Sequence, residues 1–303
     1  MLERIPHFRH NYPFWNFGDG SKSAFFHYLA SRVRSDPLGT DLFGLRIFIR
    51  DLSCILIREP LVAYKEYITV EGGAPMSENQ NHHPEEMAAF FDARADGYDR
   101  HMKNTVAEYN LFYEAVAEPI LPTEERIRIL DLGCGTGLEL KEIIKKTPQA
   151  RVTGIDMSRK MLDLLAEKHK NSTIFLELIQ DSYETVVLSS EAYDYAVSVM
   201  SVHHLLPDRK LALYKKVWSA LKPGGLYIEG DYVVTPATER ALMAEYLEML
   251  DSGQLTNTLC HIDIPFSVTT QFALLQEAGF CDIDVQVRFK NNAVLVALKP
   301  LKP

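Results

Sequence analysis

The chain has 303 residues, of which 47% are hydrophobic and 24% charged, and its formal net charge is -9. Proteins that bind nucleic acids normally have a basic surface, because neutralised phosphates supply most of their affinity, so no nucleic-acid partner is predicted. No stretch holds the roughly 18 uncharged apolar residues of a membrane-spanning helix, so no membrane contact is predicted. The four cysteines form no C-x-x-C pair, which disfavours a zinc ribbon or a disulfide framework and favours a reducing, cytoplasmic location.

Residues 1–75 differ in composition from the remainder. They carry slightly more basic than acidic residues, although the whole chain is acidic, and the aromatic residues between His10 and Phe17 follow no helical or strand period. Three alternatives are open: an extension that docks a partner or a second copy, a small folded appendage, or sequence upstream of a protein that starts at Met76. We favour the third, because a polar stretch after Met76 leads into a helical pattern. The prediction is an N-terminal extension, 1–75, and one main domain, 76–303, that acts as a monomer or homodimer.

From Pro84 onward, helical and strand patterns alternate. Met87, Phe90 and Phe91 share one face of a first helix, and a second helix is predicted at 105–118. Strands are then predicted at about 126–131, 152–155, 174–179, 195–199 and 226–233, with helices between most of them, including 138–146 and 158–169. Two last strands, about 282–289 and 293–298, have a connection too short for parallel neighbours. The predicted fold is α/β, a doubly wound, seven-stranded, mostly parallel sheet whose last strand is antiparallel.

A glycine-rich segment, Asp131–Gly137, separates the first strand from its helix and has the pattern D-x-G-x-G-x-G. In a parallel sheet, ligands bind where strand carboxyl ends meet helix amino ends, and glycines there let a ligand approach the backbone. The dinucleotide fingerprint G-x-G-x-x-G would require glycine at position 138, where the chain has Leu138. A phosphate-binding P-loop is excluded because no Gly-Lys-Ser/Thr follows.

This segment closely resembles the first motif of class I S-adenosylmethionine (SAM)-dependent methyltransferases, and the resemblance extends over about residues 87–299. It implies SAM as the cofactor. Asp156, at the end of the second strand, would bind both ribose hydroxyls, and Met157 would pack against adenine. Asp181 with Ser182 would accept the adenine amino group, and Tyr98 would close over the methionine end. The cofactor-binding residues implied in this way are Tyr98, Asp131, Gly133, Cys134, Gly135, Gly137, Asp156, Met157, Asp181, Ser182 and Ser198.

Methyl transfer from a sulfonium is an in-line displacement, so a base is needed only where the acceptor must lose a proton. Candidate bases follow the fourth strand and end the fifth, and we select His204 and Asp231. Each has a plain alternative, since a histidine here can cap the next helix and Asp231 can hold a turn. His261 and Asp263 could bind a metal or orient each other, but loop-anchoring hydrogen bonds are favoured, so no metal is predicted. They belong to a segment, 235–266, where this family usually builds its substrate lid.

Two missing sequence motifs restrict the class of methyl acceptor. Adenine and cytosine amino-methyltransferases of this superfamily carry an Asn/Asp-Pro-Pro-Tyr-like box after the fourth strand, where this chain has Ser198–Ser201, and the Pro-Cys pair of cytosine-C5 enzymes is also missing. The predicted function is methylation of a small metabolite at O, N or C. The alternatives are an enzyme that makes a carboxylated SAM derivative, a nicotinamide-dependent oxidoreductase, and a non-catalytic SAM-binding regulator.

Overall fold

A computed structural model describes residues 86–253 and 261–301 of the chain. The predicted extension 1–75, the predicted start at Met76 and the centre of the predicted lid segment lie outside the described residues. No helix in the described part is long and apolar enough to cross a membrane.

In the part of the chain that the structure describes, three α-helices precede the sheet: α1 (Met87–Arg94), α2 (Tyr98–Thr105) and α3 (Tyr109–Ala117). The Glu86 carboxylate caps α1 by accepting hydrogen bonds from the backbone N–H groups of Ala88 and Ala89. The helix predicted at 105–118 is present as α3 but begins at Tyr109 rather than at residue 105, because the chain turns after α2, where Glu108 has a left-handed backbone with φ of 52°. This break lets α3 pack against the sheet while α2 stays beside the first glycine loop.

Strands and helices then alternate as predicted. The strands are β1 (Arg128–Leu132), β2 (Arg151–Asp156), β3 (Phe175–Gln180), β4 (Tyr193–Val199), β5 (Leu221–Tyr232), β6 (Cys281–Arg288) and β7 (Asn292–Leu298). The helices are α4 (Leu140–Lys146), α5 (Arg159–His169), α6 (Pro207–Ala220), α7 (Pro236–Asp251) and α8 (Val268–Glu277). Helix α4 begins two residues later than predicted, because Gly137 has a left-handed φ of 71° that ends the glycine loop.

The strands form one sheet in the order β3-β2-β1-β4-β5-β7-β6. Neighbours from β3 to β5 are parallel, and β7 is antiparallel to both β5 and β6. The predicted fold class is therefore confirmed, including the antiparallel last strand. Because the strand order reverses between β1 and β4, the carboxyl ends of these strands border the crevice where ligands bind in such sheets.

Apolar side chains cover both faces of the sheet. One cluster joins the sheet to α3, α4 and α5 through residues such as Phe112 and Ile143, and the other joins it to α6 and α8 through Tyr214 and Leu274. Against the expectation of reduced cysteines, Cys281 at the start of β6 is disulfide-bonded.

Candidate active site

A cleft of about 700 Å3, measured out to solvent, lies at the carboxyl ends of β1–β4. The cleft is lined by the chain segments that follow these four strands and by residues of α1, α2, α5 and α6: Met87, Phe91, Tyr98, Gly133, Gly135, Asp156, Met157, Met161, Ser182, Tyr183, Glu184, Met200, Ser201, His204, Leu205 and Arg209. Seven of the thirteen predicted site residues are among them.

The glycine loop is anchored to the neighbouring strand, since Gly133 N–H and Cys134 N–H both donate to the Ile155 carbonyl, at 2.8 and 3.1 Å. A Cβ atom on Gly133 would lie 1.9 Å from the Ser201 Oγ atom, so no side chain fits there. Gly135 differs, because the nearest atom to an added Cβ is 3.9 Å away, although its φ of +47° is left-handed. Gly135 therefore keeps open a space that the protein itself does not fill.

Asp156 closes one end of this space. Its Oδ2 atom accepts the Gly135 N–H at 2.8 Å, and its Oδ1 atom accepts the Ser158 N–H at 2.8 Å. Burial raises the pKa of Asp156, while these backbone hydrogen bonds act in the opposite direction. A carboxylate fixed at the end of β2 beside an open glycine loop fits a ligand with vicinal hydroxyls.

Five of the eleven predicted cofactor residues do not line the cleft. Asp181 is exposed, and its Oδ1 atom accepts hydrogen bonds from the Ser182 N–H and the Thr185 hydroxyl. The Ser198 hydroxyl is buried 2.7 Å from the Tyr227 hydroxyl. Cys134 is buried behind the loop, and a Cβ on Gly137 would meet Leu165 at 2.3 Å. The side chains of Ser198 and Cys134 thus face other protein atoms, and Gly137 leaves no room for a side chain beside Leu165.

Asp131, the acid of the motif, is also fully buried and lies behind the cleft lining. Burial and the neighbouring Glu139 carboxyl group raise its pKa well above the ordinary value. Glu139 is buried as well, so the two acids form a carboxyl pair under the glycine loop. The sequence analysis did not select Glu139, although an acidic residue directly before α4, two positions after the glycine loop, could have drawn attention to it.

A histidine pair follows β4 and meets the end of β5. The His203 Nδ1 atom lies 2.5 Å from Asp231 Oδ1, so the candidate base Asp231 contacts His203. Asp231 is fully buried and also accepts the N–H groups of Val202 and His203, at 3.0 and 3.1 Å. Burial by itself lowers the pKa of His203, but the Asp231 and Asp263 carboxylates outweigh it and raise the pKa to about 10.

His204 lines the cleft and, unlike His203, is uncharged. Burial and the neighbouring His203 cation lower its pKa, so the ring is neutral at pH 7. Its Nδ1 atom lies 3.0 Å from the Ile262 carbonyl oxygen and 3.2 Å from Asp263 Oδ1. Because both neighbours are acceptors, Nδ1 carries the hydrogen and Nε2 keeps its lone pair.

Helix α1 and the segment after residue 260 close over this region. The Phe90 and His261 rings stack with centroids 3.6 Å apart, and Phe91 lies edge-on to His204 at 6.2 Å. The Ile264 N–H donates to the His203 carbonyl at 2.8 Å, which fastens the segment to the histidine turn. The described part of the predicted lid therefore touches the cleft wall.

The comparisons with known proteins agree with this geometry. The methyltransferase-domain family matches residues 129–225. The uncharacterised methyltransferase YdaC of Bacillus subtilis is 35% identical over 163 residues, covering 54% of this chain and 75% of the relative. This chain belongs to the class I SAM-dependent methyltransferases. SAM is therefore its cofactor, as predicted.

Two further proteins are similar to this methyltransferase. The carboxy-S-adenosyl-L-methionine synthase of Nautilia profundicola is 25% identical over 232 residues, covering 73% of this chain and 96% of that protein. The putative methyltransferase solved in complex with the Trm112 activator of Haloferax volcanii aligns with a TM-score of 0.54 at 16% identity, covering 72% of this chain and 99% of that one. At that identity the structural likeness shows the fold alone.

Several cleft residues of the methyltransferase were missed from sequence. Arg209 on α6 forms a two-bond ion pair with Glu184, with Nε 2.7 Å from Oε2, and the Tyr183 hydroxyl donates to the Ser201 carbonyl at 3.1 Å. Met200 has a left-handed φ of 49° that directs the chain from β4 into the histidine turn. An ion pair between residues 25 positions apart has no sequence signature, and neither does one residue with a left-handed backbone. The position of Met200 directly after β4 could nevertheless have drawn attention to it.

Proposed function

We propose that this methyltransferase transfers the methyl group of SAM to an O, N or C atom of a small molecule, and that the acceptor binds between Met200 and His204. The observation that supports this is the neutral, buried imidazole of His204 on the wall of the same cleft as Gly135 and Asp156. One end of the cleft offers a fixed carboxylate and an open glycine loop, and the other end offers a ring that can take a proton.

The residues at the first end suit the cofactor. We assign Asp156 to the ribose hydroxyls, Gly135 to the close approach of the backbone, and Met157 with Ser182 to the adenine side. Tyr98 lines the cleft from α2, and we assign it to the methionine end. Bound SAM supplies an activated methyl group, so the protein need only hold the acceptor in line, an effect worth roughly 7–11 kcal/mol.

His204 is the proposed proton acceptor. Its Nδ1–H group points to the Ile262 carbonyl and the Asp263 carboxylate, so a proton from the acceptor would pass to Nε2. Asp231 is not among the residues that line the cleft, so it does not contact the acceptor. It is a positioning residue, because it holds the His203 ring and the backbone N–H groups that place His204.

Apolar side chains exclude water from the acceptor end. Met87 and Phe91 cover it from α1, and Met200 and Leu205 flank the histidine turn. Methionine is unbranched and adapts to irregular ligands, so we propose a largely apolar acceptor carrying one group that loses a proton.

The test is incubation of the full chain with methyl-labelled SAM and fractionated metabolite extracts. The expected result is S-adenosylhomocysteine together with a labelled small molecule, formed much more slowly by His204→Gln. Tight SAM binding without S-adenosylhomocysteine release from any fraction would contradict the proposal and favour a SAM-binding regulator.

The similarity to carboxy-S-adenosyl-L-methionine synthase supports a second candidate, synthesis of a carboxylated SAM derivative. Such a product needs a cation beside its new carboxylate, and among the described lining residues Arg209 alone has a permanent positive charge. Glu184 already pairs with Arg209, which favours methyl transfer. Mass spectrometry separates the two, because the second reaction yields a heavier SAM derivative and no S-adenosylhomocysteine.

A further inference from the structure

Three ligand-type side chains converge beside the acceptor end of the cleft: His203, His204 and Asp263. Asp263 Oδ1 lies 3.5 Å from His203 Nε2 and 3.2 Å from His204 Nδ1. One ligand atom from each of the three lies within 4.8 Å of those of the other two. Metal–ligand bonds of about 2.0–2.2 Å in a tetrahedral site place neighbouring ligand atoms roughly 3.3 Å apart. The two separations from Asp263 match this spacing, and all three atoms lie within the 4.8 Å over which one ion can gather them.

A second, independent feature is the partner of His203. Its other ring nitrogen, Nδ1, lies 2.5 Å from the buried Asp231 carboxylate. Histidines that ligate metals almost always donate their second N–H to a carboxylate or carbonyl, which fixes the ring orientation. The Asp231 contact aims His203 Nε2 at Asp263 in this way, and a bound ion would displace to solvent the proton that Nε2 carries in the metal-free chain.

The donor set indicates the type of ion. Two imidazoles and one carboxylate suit Zn²⁺ and other first-row divalent ions, whereas Mg²⁺ and Ca²⁺ prefer oxygen ligands. His261 places a further imidazole nitrogen 3.8 Å from Asp263 Oδ1, at the edge of the cluster. We propose that His203, His204 and Asp263 bind one divalent transition-metal ion of the Zn²⁺ type, and that the bound ion inhibits methyl transfer.

The inhibition follows from the chemistry of the His204 ring, and this half rests on the proposed function. A neutral imidazole has one N–H hydrogen, and in the metal-free chain it is on Nδ1, facing Ile262 and Asp263. Ligation uses the Nδ1 lone pair, so the hydrogen moves to Nε2. The ring then presents a donor to the acceptor instead of a base. Metal binding and proton removal by His204 are therefore mutually exclusive.

The binding half is tested by calorimetric titration of the full chain, free of any affinity tag, with Zn²⁺ alone, and by the visible absorbance of added Co²⁺. The expected result is one ion at this site, bound about tenfold or more weakly by Asp263→Asn and by His203→Gln. Asp263 is half exposed, so its variant is expected to fold. His101→Gln, an exposed histidine on α2, is the matched control and should bind as the parent does.

The inhibition half is tested with the labelled-methyl assay. Zn²⁺ should abolish transfer, EDTA should restore it, and Asp263→Asn should require about tenfold more Zn²⁺ for the same loss. Equal Zn²⁺ affinity in the parent, Asp263→Asn and His203→Gln would overturn the site, and activation by Zn²⁺ would overturn the inhibition. If no extract supports transfer, the proposed function fails while the titrations still decide the metal site.

Discussion

Asp231 Oδ1 lies 2.5 Å from His203 Nδ1, so a side chain at the end of β5 holds the histidine that immediately precedes the cleft residue His204. The same carboxylate accepts the backbone N–H groups of Val202 and His203. Because β4 and β5 are neighbours in the sheet, one buried side chain fixes the position of the turn after β4. The cleft wall therefore depends on a residue that does not line it.

Asp231→Asn should destabilise the fold by about 3–5 kcal/mol, because it removes one partner of a buried ion pair. The effect should depend on pH. The folded-state pKa of His203 is raised to about 10, above its unfolded value of about 6.5, so the folded chain holds an extra proton between these values. Stability should be full below pH 6.5 and fall towards pH 10, by up to about 1.4 kcal/mol per pH unit. Urea unfolding at several pH values measures both effects. An equal slope in the variant would contradict this account.

Gly135→Ala should abolish the thermal stabilisation by S-adenosylhomocysteine, which we expect to be roughly 5–10 °C for the parent at a hundredfold excess over the dissociation constant. Its Cβ enters the open part of the cleft, whereas the Cβ of Gly137→Ala meets Leu165 at 2.3 Å. Both variants share the cost of a left-handed alanine, about 1–2 kcal/mol. Gly137→Ala should therefore melt at the lower temperature yet keep the ligand shift. NAD should shift neither the parent nor the variants.

His204→Gln should lower kcat by about 10²- to 10⁴-fold, the usual contribution of a general base. Burial and the His203 cation lower the pKa of His204, so the base stays unprotonated down to below pH 6.5. The parent should hold its rate from pH 8 to 6.5 and lose it at lower pH. In the variant this acidic limb should disappear, as measured by S-adenosylhomocysteine release. A limb of the same midpoint in both proteins would assign it to another group.

Lys210→Met should destabilise the fold by about 3–5 kcal/mol while leaving cofactor binding unchanged. The Lys210 ammonium is buried, 3.0 Å from both Glu229 Oε1 and Gln271 Oε1, on the sheet face that carries α6 and α8. Without it, the Glu229 carboxylate keeps only the Tyr214 and Tyr227 hydroxyls. Lys215→Met on the same helix is the matched control, since its ion pair is exposed and should contribute at most about 1 kcal/mol.

Removal of residues 1–75 should leave the S-adenosylhomocysteine shift intact, because we propose that residues 76–303 form the complete catalytic domain. Differential scanning fluorimetry of the full and shortened chains makes the comparison. Failure of the shortened chain to fold would show that the extension is part of the domain.

Local patterns were sufficient for most of the elements. The β-rich segments and the helices between them were found because strand and helix periods differ, and the short connection before Asn292 required an antiparallel last strand. The turn at Glu108 was missed, because a left-handed residue that is not glycine leaves no mark in the sequence. The candidate bases were found only as a set. Which histidine meets Asp231 depends on how the turn after β4 rotates, and the sequence pattern does not contain that rotation.

The sequence by itself determined the layered α/β fold, the glycine loop and the class of cofactor, because these depend on residue types at short and regular spacing. Only the tertiary structure decided which acids reach the cleft, that Asp131 is buried with Glu139, and that Arg209 pairs with Glu184. The physical reason is that charge state and access are set by neighbours distant along the chain. Asp156 and Asp231 both end strands, yet one faces the ligand space and the other is enclosed by the turn that it holds.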